Sequence, residues 1–119
     1  MKPVLGDNTL TMLSKALDAL SLRQEVIADN IANVNTPGFK AKYVRFEEEL
    51  KAAVSRGDPA SFQPVIEEDQ LAVRADGNSV DIDLEMARLA ETSIMYSAIS
   101  QLVSSRFSLL KYVISEGRR

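Results

Sequence analysis

The chain has no cysteine, no histidine and no tryptophan among its 119 residues. Without thiols there is no disulfide framework and no thiol nucleophile. Without imidazole the usual general base near neutral pH is missing. Zinc loses its two commonest ligands at the same stroke. An enzyme built on this chain would have to work with Asp, Glu, Lys, Ser and Thr alone, and no Gly-rich loop of phosphate-binding spacing is present. Aromatic residues are only 6%, too few for a platform that stacks bases. The net charge of −3 and pI near 5.0 argue against a surface that tracks phosphate backbones. The absence of cysteine fits either redox compartment. The opening Met1–Asn8 stretch has no apolar core of signal-peptide length, and no later run is long enough for a bilayer. A chain of this kind acting outside the cytoplasm needs another export route.

What is present is a globular composition, 45% hydrophobic and 26% charged, of a length suited to one domain. Leu10, Leu13, Leu17, Leu20, Gln24, Ile27, Ile31 and Val34 step alternately by three and four. That is a heptad seam, and it predicts a helix over about 8–34, capped by Asp7 or Asn8. Gln24 interrupts the seam at its middle, where a polar group often fixes register or partner number. A second helix is predicted over about 82–115, with Asp81 or Asp83 as its cap. Asp83 and Glu85 suit the positive end of its dipole, and Lys111, Arg118 and Arg119 its negative end. One apolar stripe runs through Leu84, Ala87, Ile94, Ala98, Leu102, Leu109 and Val113. A second, slightly rotated, runs through Met95, Ile99, Val103, Phe107, Leu110 and Ile114.

The residues between, about 35–80, are punctuated by Pro37, Pro59 and Pro64 and by Gly38, Gly57 and Gly77. They read as a largely irregular linker with a possible short helix at 46–55, where Glu47 and Lys51 pair across one turn. Gln70–Arg74 alternates weakly, as a short strand or extended arm would. The expected fold is therefore all-α: long N- and C-terminal helices pairing as an antiparallel, coiled-coil-like hairpin, within a single domain over 1–119. Such a hairpin buries one stripe on each helix and leaves the broad C-terminal face bare. Phe107, Leu109, Leu110, Val113 and Ile114 put five large apolar residues in eight positions, more than one facing helix covers. With Leu102 they point to packing against other chains, and the sequence reads as an assembly subunit.

The stretch Asp29–Lys40, "DNIANVNTPGFK", sharpens that reading. Asn competes with the backbone for hydrogen bonds and is a poor helix former. Asn33 or Asn35 can stop the helix in a left-handed conformation, Pro37 forbids continuation, and Pro37-Gly38 makes a turn with positive φ at the glycine. Asn30 lies a full turn earlier and shares a face with Asn33. Its amide is placed to bridge to a neighbouring chain's backbone.

This run resembles the N-terminal signature of bacterial flagellar rod, hook and hook-associated axial proteins. The matching positions are Ala28, Asn30, Ala32, Asn33, Asn35, Thr36, Pro37, Gly38 and Phe39. "DGNSVDIDLEMARLAE", followed by a helix to a C-terminus near 119, is similar to the basal-body proximal rod proteins. The resemblance implies a structural subunit without enzymatic activity, metal or cofactor. Its terminal helices would pair as an inner hairpin, and copies of the chain would stack with other rod proteins into a helical tube that transmits torque and forms part of the export channel. It implies a place in the basal body on the periplasmic side, reached through the flagellar type III apparatus without a cleaved signal peptide. The membrane ring, the export gate and a small adaptor protein would be neighbours at the rod base, with no nucleic acid bound and no direct membrane insertion. The motif would then set how the loop leaves the inner tube, with Phe39 as an anchor.

Lesser signals carry bland readings. Phe39, Tyr43 and Phe46 read as loop anchors rather than a ligand box. Glu47, Glu48 and Glu49 read as a solvated face, and Glu67, Glu68 and Asp69 as solvated loop acids. "RGDPASFQP" is a loop whose Arg-Gly-Asp triplet is common by chance. A competing function from another class is a stand-alone helical adaptor or chaperone that holds a partner helix in its groove.

Overall fold

The computed structural model of the protein describes residues 7–70 and 74–117. Helix α1 spans Asp7–Ala32. Strand β1 follows at Lys42–Arg45, helix α2 at Glu47–Ser55, a single 3₁₀ turn at Pro59–Ser61 and strand β2 at Val65–Glu68. Helix α3, Ile82–Gly117, ends the described chain. The molecule measures 69 × 26 × 14 Å with a radius of gyration of 18.6 Å, against roughly 13–14 Å for a compact chain of this length. Its length is set by the two long helices.

Helices α1 and α3 pack antiparallel. Asn30 near the end of α1 meets Glu85 near the start of α3, and Gln24 Nε2 donates to Ser93 Oγ at 3.2 Å. The polar break in the α1 seam is thus matched by a polar residue on the facing helix. Every seam position from Leu10 to Val34 is buried or half-buried. Asp7 and Asn8 lie inside the first turn of α1 rather than ahead of it. Asp81 caps α3, since its Oδ1 accepts from the backbone N–H of Asp83 at 3.1 Å and of Leu84 at 3.2 Å. No proline or glycine interrupts α3 before Gly117. The basic residues expected to suit its end, Arg118 and Arg119, lie outside the described residues.

The face that α3 shields is not the stripe of highest apolar content. It runs through Glu85, Thr92, Met95, Ile99, Val103 and Leu110. The stripe through Leu84, Ile94, Leu102, Leu109 and Val113 is exposed. The reason lies in the polar group that α1 buries against this half of α3: Asn30 needs a partner, and Glu85 supplies it.

Two expectations for the middle of the chain are corrected. The fold is not strictly all-α, and the middle is packed rather than largely irregular. β1 and β2 form a two-stranded antiparallel sheet in which Tyr43 lies opposite Glu67 and Val44 opposite Ile66. Lys-Tyr-Val-Arg and Val-Ile-Glu-Glu are rich in β-branched and aromatic residues, and four-residue strands are too short to declare a period. The strand expected at Gln70–Arg74 falls on residues 71–73, outside the described residues. The core is made by Ala16, Ala19 and Leu20 of α1 against Val44, Phe46, Leu50, Ala53 and Phe62 from the middle, with Met95 and Ile99 of α3 at its flank. Phe46 and Phe62 meet edge-on, ring centres 6.3 Å apart. Phe62 comes from the "RGDPASFQP" loop, so that loop supplies an anchor as well as a connection. α2 ends in a Schellman motif: Asp58 N donates to Ala53 O, Gly57 N donates to Val54 O, and Gly57 has φ +74°.

The side of β1 away from β2 is closed by side chains of α1. Asn30 bonds both backbone groups of Lys42, and the Arg23 guanidinium donates to Val44 O through Nε at 3.2 Å and Nη2 at 2.6 Å. Among the described residues no helix is long and apolar enough to cross a membrane.

Candidate functional site

The segments carrying the two sequence signals, Asp29–Lys40 and Asp76–Glu85, meet at one end of the helical pair. Their junction is built from asparagine amides. Asn30 is fully buried. Its Nδ2 donates to Lys42 O at 2.7 Å and to Glu85 Oε2 at 3.0 Å, while its Oδ1 accepts from Lys42 N at 3.0 Å. Both N–H groups and the carbonyl are therefore used within the chain. An Asn in the last turns of a helix is a poor choice for helix propensity. Here it ties α1 to β1 and α3 together. The expectation that this amide reaches a neighbouring chain does not match: burial leaves it only intramolecular partners. Glu85, also buried, accepts at its other oxygen from Arg88 Nη1 at 3.1 Å, so the carboxylate has a cationic partner.

Asn33 works locally. Its Nδ2 donates back to Asp29 O at 2.9 Å, and its Oδ1 accepts from Thr36 Oγ1 at 3.1 Å. Asn33 N is shared between the carbonyls of Asp29 and Asn30, and Val34 N donates to Ile31 O, so the helix tightens as it ends. No described residue other than glycine has positive φ. The left-handed stop expected at Asn33 or Asn35 is replaced by this tightening. Thr36–Phe39 then forms a turn closed by Phe39 N donating to Thr36 O at 3.2 Å, with Pro37 at its second position and Gly38 at φ +76°. Positive φ at the third position is what a type II turn demands of its glycine.

Asn78 holds this turn in place. Fully buried, its Nδ2 lies within hydrogen-bond reach of three carbonyls, Asn33 O at 2.9 Å, Val34 O at 3.3 Å and Thr36 O at 2.7 Å. Its Oδ1 accepts from Val80 N at 2.7 Å. One side chain thus collects three carbonyls of the turns that follow α1, two of which, Asn33 O and Thr36 O, also accept from Thr36 N and Phe39 N. Arg74 Nη2 also donates to Val34 O. The backbones are stitched alongside: Gly38 N donates to Asp76 O at 2.9 Å and Ser79 N to Phe39 O at 3.0 Å. Ser79 Oγ accepts from Ala41 N at 2.7 Å, and Lys40 Nζ donates to Gly77 O at 2.5 Å. Gly77, at φ +83°, lies beside Gly38, where an added Cβ would come 3.5 Å from the Gly38 Cα, an ordinary van der Waals contact.

Of the motif positions, Ala28, Ala32, Asn35, Thr36, Pro37 and Gly38 are exposed, Asn33 and Phe39 half-buried, and Asn30 buried. The clasp thus has an internal lock and an outward rim. The C-terminal positions lie toward the other end of the molecule. Leu102, Phe107, Leu109, Val113 and Ile114 are about half exposed and Leu110 is partly shielded.

Sequence reasoning missed Asn78, Glu85 and Arg23 as structural partners. In the sequence, Asp76-Gly77-Asn78 reads only as a turn and Glu85 only as a dipole partner, because Asn78 and Glu85 bond residues more than forty positions away. Arg23 stacks over Phe46 at 4.5 Å and forms a two-pronged bridge to Glu47, both contacts 2.8 Å. Glu47 therefore pairs with α1 and not with Lys51. The Arg23 hydrogen bond holds the Glu47 carboxyl below the usual carboxylate range, and the Arg45 hydrogen bond does the same for Glu49. Arg45 also donates to Glu67. These acids are engaged rather than merely solvated.

The sequence profile of the flagella basal body rod proteins matches residues 10–40, covering α1 and the turn after it. The chain is 32% identical to flagellar basal body rod protein FlgB of Bacillus subtilis, an alignment covering 96% of this chain and 98% of that one. It is 36% identical to FlgB of Borrelia hermsii over 89% of this chain and 95% of that one. It is 30% identical to FlgB of Escherichia coli over 93% and 96%.

Proposed function

The chain belongs to the flagellar basal body rod proteins, and from that premise we propose that it is a structural subunit of the proximal rod, not an enzyme. It assembles with copies of itself and with other rod proteins into a tube that transmits torque and lines part of the export channel. The family reading displaces the stand-alone adaptor. The observation that supports assembly is the exposed apolar stripe of α3. Leu84, Ile94, Leu102, Leu109 and Val113 are 45–70% exposed along one helix. Burying a fully exposed side chain of this kind is worth about 1.5–3 kcal/mol, so the half of each still exposed is worth about 1 kcal/mol, which a subunit packed among others recovers and a lone chain does not.

In this reading α1 and α3 form the inner layer, and the sheet with α2 forms an outer lobe. The clasp fixes the angle between the two. The exposed rim, Asn35 to Gly38 with Ala28 and Ala32, contacts the next subunit, while Asn30 acts by holding the lobe in place. Phe107, Leu109, Leu110, Val113 and Ile114 pack against neighbouring helices. The rod base brings the membrane ring, the export gate and a small adaptor protein into reach, on the periplasmic side and after type III export. Electron cryomicroscopy of basal bodies from the parent bacterium tests this. The expected result is this chain traced at the base of the rod with α1 and α3 toward the channel. Basal bodies of normal structure in a strain lacking the chain would refute it.

A further inference from the structure

A groove bounded by all three helices opens on the side of the molecule. Leu13 and Ala16 of α1, Leu50 and Val54 of α2, and Met95 and Ile99 of α3 line it. The same chain carries an apolar plug. Counting residue for residue from the Asn30–Glu85 and Gln24–Ser93 contacts, Asp7 falls opposite roughly position 109 of α3, so about 12 Å of α3 projects past the start of α1. Around this end Phe107, Leu109, Tyr112, Val113 and Ile114 are 47–63% exposed. At about 100° per residue they face most of the helix circumference. A helix apolar around most of its circumference is one that other chains surround.

Plug and groove cannot meet within one chain. α3 is continuous, and Tyr112 lies about 20 Å beyond Ile99, which is itself a wall of the groove. Their dimensions correspond: α2, the outer wall, is nine residues long, or about 13 Å, against the projection of about 12 Å. Resting on the rod reading above, we propose that the projecting end of α3 of one copy lies in the α1–α2–α3 groove of the next. The contact is heterologous, one plug and one groove per chain, so it builds a row or ring of like-oriented copies. The plug exposes about 400–500 Å² of apolar side chain, roughly half of the ~800 Å² that each partner of a standard interface buries. The contact is accordingly weak for an isolated pair and serves where neighbouring copies add further contacts.

The chain has no cysteine, so introduced ones report without background. Purified Val54→Cys and Tyr112→Cys variants, both at exposed positions, are concentrated and oxidised separately and mixed. Lys51→Cys with Val113→Cys serves as a second pair should either first variant fold poorly. The expected product is the mixed disulfide, with each variant alone remaining monomeric and the double variant giving a ladder of oligomers. Tyr112–Tyr112 or Val54–Val54 dimers as the main product, a bond within one chain of the double variant, or no mixed product from either pair would overturn the docking. The double variant in purified basal bodies separates the two claims. Chain present there without the disulfide overturns the docking alone. Wild-type chain absent from basal bodies overturns the rod reading, while a mixed disulfide between purified variants leaves the docking intact.

Discussion

Replacing Asn78 tests whether the clasp holds the fold. Asn78→Ala removes a donor that serves three carbonyls and an acceptor that serves Val80 N, at a site with no solvent access. Val80 is itself 2% exposed, so its N–H is left without a partner. An unsatisfied buried group costs about 1–3 kcal/mol, and each lost neutral hydrogen bond about 0.5–1.5 kcal/mol. Thr36 is exposed, and water replaces part of what its carbonyl loses. The expected loss is about 3 kcal/mol, a large fraction of the ~5–15 kcal/mol that holds a small domain. Urea unfolding followed by circular dichroism reads this directly. With a slope of about 1.5 kcal/mol per molar the midpoint falls by about 2 M.

Asn78→Asp has the same shape and keeps the acceptor, but it aims a carboxylate oxygen at three carbonyl oxygens. At neutral pH it should be at least as damaging as Asn78→Ala. The folded state there disfavours the carboxylate, which raises its folded pKa above the ordinary value of about 3.9. The penalty is complete above the raised value. It shrinks as pH falls through it, because the protonated acid can donate to one carbonyl. Asn78→Asp should therefore close part of its gap to the wild-type chain between neutral and mildly acidic pH, while Asn78→Ala should not. A loss under about 0.5 kcal/mol for Asn78→Ala, within the scatter of ordinary surface changes, or a pH-independent gap for Asn78→Asp, would refute the role assigned to this amide.

Amide hydrogen exchange on the dilute chain should be graded, with slow exchange in α1 from about Ala16 to Asn30, where the core and clasp sit, and fast exchange over the last two turns of α3; uniform protection along α3 would count against a bare C-terminal end. Gly38→Ala and Gly57→Ala should each lose about 1–2 kcal/mol from the left-handed backbone, because an added Cβ meets nothing within 4 Å at either site. Of the two, only Gly38→Ala should lower incorporation into basal bodies, as a count of subunits in purified particles would reveal. Glu47→Gln should flatten part of the acid sensitivity of folding. The Glu47 carboxyl is depressed, so its contribution is present above the ordinary carboxylate pKa and lost as pH falls through the depressed value. The carboxylate is half exposed, so the change between about pH 5 and pH 3 should stay below about 1 kcal/mol. A larger difference in denaturation midpoints would mean that the Arg23–Glu47 bridge is less screened than its exposure indicates.

The long helices were legible because each repeats its period many times. Seven apolar seam positions on α1 outvote one glutamine. The facing side of α3 was legible in its C-terminal part, where Met95, Ile99, Val103 and Leu110 belong to the second stripe, but not in its first turns, where Glu85 and Thr92 stand in place of leucines. The burial of Glu85 makes sense only once Asn30, distant in sequence, is beside it, while Thr92 satisfies its hydroxyl on Arg88 O of its own helix. The sheet escaped for a related reason: two four-residue strands separated by α2 share no local signal, and their pairing is a long-range fact. Within the candidate site the turn at Pro37-Gly38 could be derived from its own four residues. Asn78 could not be placed, because its partners are the carbonyls of Asn33, Val34 and Thr36, and backbone carbonyls have no identity in a sequence. The two family-like segments were each visible, but not their contact.

That contact also imposes an order in time. The turns that follow α1 stay without their side-chain tie until Asn78 arrives, 42 to 45 residues later in the chain. A polypeptide emerging N-terminus first, from a ribosome or a narrow conduit, can wind α1 at once, in about a microsecond or less. It cannot close the Asn78 side of the clasp until about two-thirds of its length is free, and closing so long a loop must come before those bonds repay it. Asn30 can take Lys42 early, but its bond to Glu85 waits longer still. These two closures of the clasp are therefore late events by construction, and a chain held in a passage too narrow for folded structure lacks them until about two-thirds of it has passed.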